Sequence, residues 1–96
     1  KQGMPDDIRH NATRRQFEAD TPGGLAVATY RMDGQTMILS HTVVPPAAQG
    51  GGIASRLVKA ALAFARTQNY KIIPQCSFVA AYIQRHPENK DLLASR

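Results

Sequence analysis

Val43-Val44-Pro45-Pro46-Ala47-Ala48-Gln49-Gly50-Gly51-Gly52-Ile53-Ala54-Ser55 joins a run of strand formers to the strongest helical pattern in the chain, and its reading decides the fold. Three consecutive glycines remove side chains where a ligand must approach the backbone. The helix that follows presents unpaired N–H groups and the positive end of its dipole, a natural seat for phosphate. Glycines before a helix serve equally well as a plain turn or linker. The flanking segments decide between the two.

Upstream, residues 25–32 are rich in strand formers, Asp33-Gly34 is a hairpin signature, and residues 35–44 continue with Met37, Ile38, Leu39, Thr42, Val43 and Val44. This predicts an antiparallel hairpin. Pro45-Pro46 denies two N–H groups to any further ladder, so the second strand of the hairpin must stop or splay just before the glycines. Downstream, Ile53, Leu57, Val58, Ala61, Leu62, Phe64 and Ala65 form one apolar stripe, which predicts a helix from residue 51 or 52 to 68. Residues 71–75 then read as a short strand that Pro74 confines to an edge. Strand, helix and strand with short joints imply a right-handed crossover and a parallel pair. The glycine loop would lie at the carboxyl end of the first of those strands, where open α/β sheets bind ligands.

The ends of the chain carry weaker signals. Residues 13–18 read as a strand anchored by Phe17, Thr21-Pro22-Gly23-Gly24 as a turn, and residues 1–10 as a loose tail. Ser77 is placed to cap a second helix with Phe78, Val79, Tyr82, Ile83 and His86 on one face, closed by His86-Pro87. Residues 88–96 read as a turn or short helical tail packed through Leu92 and Leu93. The expected fold class is α/β (α+β): antiparallel strands, a β-α-β crossover, then a second helix.

A chain of 96 residues is expected to be a single domain, residues 1–96, with a modest core. Hydrophobic residues at 43% and charged residues at 20% describe a globular protein, and no apolar run is long enough to span a membrane. The net charge of +5 favours an anionic partner. Its basic residues are scattered, with three Phe, three Tyr and no Trp, which argues for a small anion over a nucleic acid. The single cysteine, Cys76, excludes an internal disulfide and a cysteine-rich metal site, and suits the cytoplasm.

The order of elements and the loop resemble the acyl-CoA-binding core of the GNAT superfamily of N-acetyltransferases. There a strand ending in Val-Pro is followed by Gln or Arg, two variable residues, Gly, one variable residue and Gly or Ala; here Val44-Pro45 leads to Gln49-Gly50-Gly51-Gly52-Ile53-Ala54. A Walker loop would need Gly-Lys before Ser or Thr, and this stretch has no lysine. The chain is still more similar to the compact, single-domain GNAT-like N-acetyltransferases. His41, Pro74-Gln75-Cys76 and the run Phe78-Val79-Ala80-Ala81-Tyr82-Ile83-Gln84-Arg85-His86-Pro87 stand at that family's positions. The resemblance implies acetyl-CoA as co-substrate and an amine as acceptor. Backbone N–H groups from Gln49 to Ser55, that is Gln49, Gly50, Gly51, Gly52, Ile53, Ala54 and Ser55, would hold the pyrophosphate, and Val43 and Val44 would pair with the pantetheine arm. Two departures from larger GNAT enzymes stand out: the chain lacks room for the helices that usually cover the acceptor, and the glutamate base on the fourth strand is absent.

Acetyl transfer to an amine needs a neutral amine, a polarised carbonyl and a proton for the departing thiolate. Cys76, between a strand and a helix, is the first catalytic candidate, and it reads equally as a small buried hydrophobe. His41 alternates with Leu39 and Val43, which predicts a shared sheet face, and its ring suits proton transfer or a structural hydrogen bond. The resemblance puts Tyr82 where many GNAT enzymes hold the tyrosine that protonates the CoA sulfur; its helix face fits a core role as well. A CoA-binding module with little catalysis, and a small basic nucleic-acid binder, are the competing functional readings.

Overall fold

The computed structural model describes residues 8–94, and its core begins with the alternation of small and large apolar residues on the central strands. In chain order the elements are β1 (Arg9–Asn11), β2 (Gln16–Thr21), β3 (Gly24–Asp33), β4 (Thr36–Val43), α1 (Ile53–Gln68), β5 (Lys71–Pro74) and α2 (Ser77–Arg85). Short 3-10 helices span Pro46–Ala48 and Pro87–Leu92. The five strands form one sheet in sequence order. β1 to β4 are antiparallel and β5 is parallel to β4 on an edge, so the mixed α/β architecture expected from the sequence is the one observed.

Phe17 and Ala19 on β2, Ala26, Ala28 and Tyr30 on β3, Met37 and Leu39 on β4 and Ile72 on β5 are buried on one face. Against them lies the apolar stripe of α1, with Leu57, Val58, Ala61, Leu62 and Ala65 buried. Small residues on both sides allow close approach of helix and sheet. α2 packs beside α1 and against β4 and β5 through Val79 and Ile83. The opposite face of the sheet carries Leu25, Val43 and Ile73, the exposed large hydrophobics among the described residues. No helix among the described residues is long and apolar enough to cross a membrane.

The N-terminal expectation is corrected in part. β2 begins at Gln16 because Asn11 Oδ1 accepts the N–H of Arg14 and Arg15 takes a positive φ of 56°, which turns the chain over residues 12–15. Residues 8–10 are no loose tail. Ile8 is buried, and Arg9 and His10 pair with Glu18 and Phe17 across the β1–β2 ladder. The loose-tail reading of residues 1–7 falls outside the described residues.

Two further differences bear on the site. The N-cap of α2 is Cys76, not Ser77, which occupies the first helical position. On β4 the alternation breaks at Ser40. Tyr30 faces Leu39 and Ala28 faces Thr42, so three steps on β4 match two on β3, and Ser40 is the extra residue of a β-bulge. Its hydroxyl lies 3.0 Å from Thr29 Oγ1 and donates to the Thr29 carbonyl at 3.3 Å.

Candidate functional site

The site is built where β4 and β5 part. Their parallel ladder runs from Thr36 opposite Lys71 to Leu39 opposite Pro74, and the Cys76 N–H donates to the Leu39 carbonyl at 3.0 Å. Pro74 has no N–H to continue the pairing. Beyond that point β4 pairs with β3 alone, and its other edge is open as far as Val43. A gap with exposed strand edge on one side and a helix N-terminus on the other is thereby fixed by one proline and one bulge.

The loop after β4 forms the floor. The 3-10 turn Pro46–Ala48 leads to Gln49, whose side-chain amide donates to the Val44 carbonyl at 3.0 Å. Gly50 and Gly52 have φ of 89° and 81°, in the left-handed region where a Cβ is strained, while Gly51 does not. No side chain caps α1; the Arg56 N–H reaches the Gly52 carbonyl at 3.1 Å, and the N–H groups of Ile53, Ala54 and Ser55 precede the first intrahelical bond. Arg56 Nη1 donates to the Gly51 carbonyl at 3.4 Å, adding positive charge beside the loop.

A cavity of about 260 Å³ opens over these groups, lined by Val44, Gln49, Gly50, Gly52, Ile53, Ala54, Ser55 and Phe78. A second, of about 310 Å³, shares Val44, Gln49, Ala54 and Phe78 with it and extends to Thr42. Together they form one groove from the glycine loop to the gap between β4 and β5. Of the nine loop and strand residues expected to hold a cofactor, seven line the groove. The exceptions are Gly51 and Val43, whose side chain is 55% exposed on the opposite sheet face. The bare glycines, the uncapped helix and the open strand edge fit the pyrophosphate and pantetheine of an acyl-CoA.

The three candidate catalytic residues are not brought together. Cys76, half-buried, lines neither cavity; it lies next to the Thr42 end, the head of the groove, with Sγ 3.6 Å from Thr42 Oγ1. Burial pushes its thiol pKa up. That effect is outweighed by the Thr42 hydroxyl and by the backbone N–H groups of Val79, Phe78 and Thr42, and the net result is a lowered pKa. The two α2 N–H groups act on sulfur without closing a side-chain cap of full hydrogen-bond geometry.

His41 is exposed. The bulge at Ser40 turns it opposite Thr29, onto the uncovered face with Val43, and not onto the face of Leu39 as strict alternation predicts. Tyr82 is buried and lines a separate cavity of about 320 Å³ with Leu62, Ala63, Arg66 and Glu88, and its ring stacks on His86 at 4.2 Å. Burial, reinforced by Glu88, raises its hydroxyl pKa. That cavity shares no lining residue with the groove.

Thr42 and Phe78 complete the groove; the sequence marks Phe78 in the second helix and Thr42 in a strand, and neither as a site residue. Phe78 is signalled by its place two residues after Cys76, in the first turn of α2; Thr42 has no signal, because the bulge that aims it is not written in the residue pattern.

Known proteins are similar to this chain in sequence and in fold. The family model described as GCN5-related N-acetyl-transferase matches residues 16–92. Protein NATD1 of Gallus gallus is 37% identical over 90 residues, covering 91% of this chain and 82% of that protein. Protein NATD1 of Homo sapiens is also 37% identical over 90 residues, covering 91% and 80%. The solution structure of a GCN5-like candidate N-acetyltransferase from Staphylococcus aureus superposes with a TM-score of 0.68 at 26% identity, over 100% of this chain and 93% of that one. The chain belongs to the GCN5-related N-acetyltransferase family.

Proposed function

We infer that the protein binds acetyl-CoA in the groove and transfers its acetyl group to an amine. The observation that carries this reading is the groove that runs from the glycine loop to Thr42, whose hydroxyl lies 3.6 Å from Cys76 Sγ. In this reading the first-turn N–H groups of α1 and the backbone of residues 49–52 take the phosphates, with Arg56 beside them. The pantetheine arm lies along the open edge of β4 as an added strand, and the thioester ends near Cys76. The acceptor amine enters from the uncovered sheet face, where His41 is exposed. Cys76, held toward the thiolate, takes the amine proton or carries the acetyl group as a thioester of its own. The reading suits a reducing cytoplasm, in which Cys76 stays a thiol.

A second reading, a CoA-binding module with little catalysis, is favoured by one observation: among the described residues no carboxylate lines the groove. Release of free CoA from acetyl-CoA, measured with and without polyamines, lysine peptides and small amines, separates the two. Amine-stimulated release that Cys76→Ala lowers by about a hundredfold, the lower range of general acid–base catalysis, supports transfer. Binding without stimulated release supports the module. An acetyl adduct on Cys76 seen by mass spectrometry selects the covalent route.

A further inference from the structure

We propose that Thr42 is a positioning residue whose hydroxyl donates to Cys76 Sγ and fixes the thiolate at the head of the groove. The proposal rests on the reading of Cys76 as a working thiol, and deepens it by naming the residue through which β4 controls that thiol. Three observations carry it. The bulge at Ser40 rotates Thr42 onto the inner face, opposite the buried Ala28, the face on which the helices pack. Its oxygen stands 3.6 Å from Sγ, across a sequence separation of 34 residues, at the place where the β4–β5 ladder has ended. Thr42 also lines the groove, which Cys76 does not, so the contact joins the sulfur to the groove's end.

A thiolate has no proton to give, so with Cys76 ionised the hydroxyl must be the donor. Hydrogen bonds to an ionised acceptor are the stronger kind. The charged or titratable side chains on neighbouring elements are Tyr30, Arg31 and Asp33 on β3, His41 on β4, Arg56, Lys59 and Arg66 on α1, Lys71 on β5 and Tyr82 and Arg85 on α2. None is among the causes that act on the thiol; burial, the Thr42 hydroxyl and backbone N–H groups are. The local balance of the cysteine is therefore set by burial, the largest influence, against hydrogen bonds, and Thr42 supplies the side-chain one.

The test uses the single cysteine as its own reporter. The rate of iodoacetamide alkylation is measured from pH 5 to 10 on the unmodified protein, Thr42→Val and Thr42→Ser, with thermal unfolding of each as a control. Thr42→Val keeps the shape and removes the donor. Its profile should move to higher pH, with alkylation at pH 7 slower by about tenfold, the low end for a hydrogen bond to a charged group. Thr42→Ser should follow the unmodified protein. Should Thr42→Val fail to fold, Thr42→Ala carries the same comparison. Superimposed profiles for the donor-free variant and the unmodified protein overturn the proposal, as does a serine variant displaced as far as the valine one. Alkylation needs no acetyl-CoA, so a protein inactive in acetyl transfer still gives a decisive profile.

Discussion

Gly50, Gly51 and Gly52 look interchangeable in the sequence, and their backbones are not. Gly52 is the N-cap of α1 in the left-handed region; a Cβ there would meet Arg56 Nη1 at an ordinary 3.9 Å, so the cost of a side chain lies in the backbone. Gly51 lies outside that region, and its Cβ would meet only the Ala48 carbonyl at an ordinary 3.7 Å. Gly52→Ala should therefore cost about 1–2 kcal/mol, the penalty of a left-handed residue with a side chain. Gly51→Ala should stay within about 0.5 kcal/mol of the unmodified protein. Denaturant unfolding checks both, and equal losses would contradict the assignment. The same lesson applies to Cys76 and Thr42. The sequence marked Cys76 through its place between strand and helix, whereas the side chain that meets it sits 34 positions away and is aimed by a bulge.

At the scale of elements, the helices and the hairpin were legible because their signals are periodic and redundant: α1 buries Ile53, Leu57, Val58, Ala61, Leu62 and Ala65 as its spacing requires. β4 was legible as a strand and illegible in its face. One unpaired residue reverses inside and outside, and Ser40 leaves no mark in a pattern that runs smoothly from Leu39 through His41 to Val43. β1 was missed because three residues give too short a period, and its attachment depends on partners brought from other strands. The His10 ring stacks on Phe17 with centroids 4.4 Å apart, and its Nε2 lies 2.6 Å from the Tyr30 hydroxyl. Glu18, 5% exposed, is sealed by side chains rather than by depth: Gln16 and Asn11 donate to it at 2.6 and 2.8 Å, and Arg9 lies 3.2 Å away.

These partners make β1 sensitive to acid. Burial holds the pKa of His10 below its ordinary 6.5, so the neutral ring is the folded form; its contribution is present above that value and fades as pH falls through it. The hydrogen bond from Gln16 is the largest influence on Glu18. Together with Asn11 and Arg9 it overcomes burial and holds the carboxyl below its ordinary 4.5, so that contribution is lost at lower pH still. The melting temperature should fall in two stages as pH is lowered from 7, and His10→Leu should remove the first. A flat profile between pH 7 and 5, or an unchanged first stage in the variant, would contradict this account of β1.

For the whole molecule, the described residues form a body with a Cα radius of gyration of 12.5 Å, with the helices packed on one sheet face and the other face bare. The groove opens beside α1 and α2, while His41, Val43 and Ile73 lie on the uncovered face. Family membership was legible because the loop and the Pro74-Gln75-Cys76 segment are contiguous in sequence. The placement of Tyr82 was not, since which of two cavities a helical residue faces depends on how α2 rolls against α1. The central claim, that acetyl-CoA occupies the groove, is tested most directly by titrating the isotopically labelled protein with acetyl-CoA and following its backbone amide resonances. The account predicts the largest changes at Val44, residues 49–55 and Cys76, with Tyr82 and Asn89 little altered. Changes centred on the Tyr82 cavity, or none at millimolar acetyl-CoA, would contradict it.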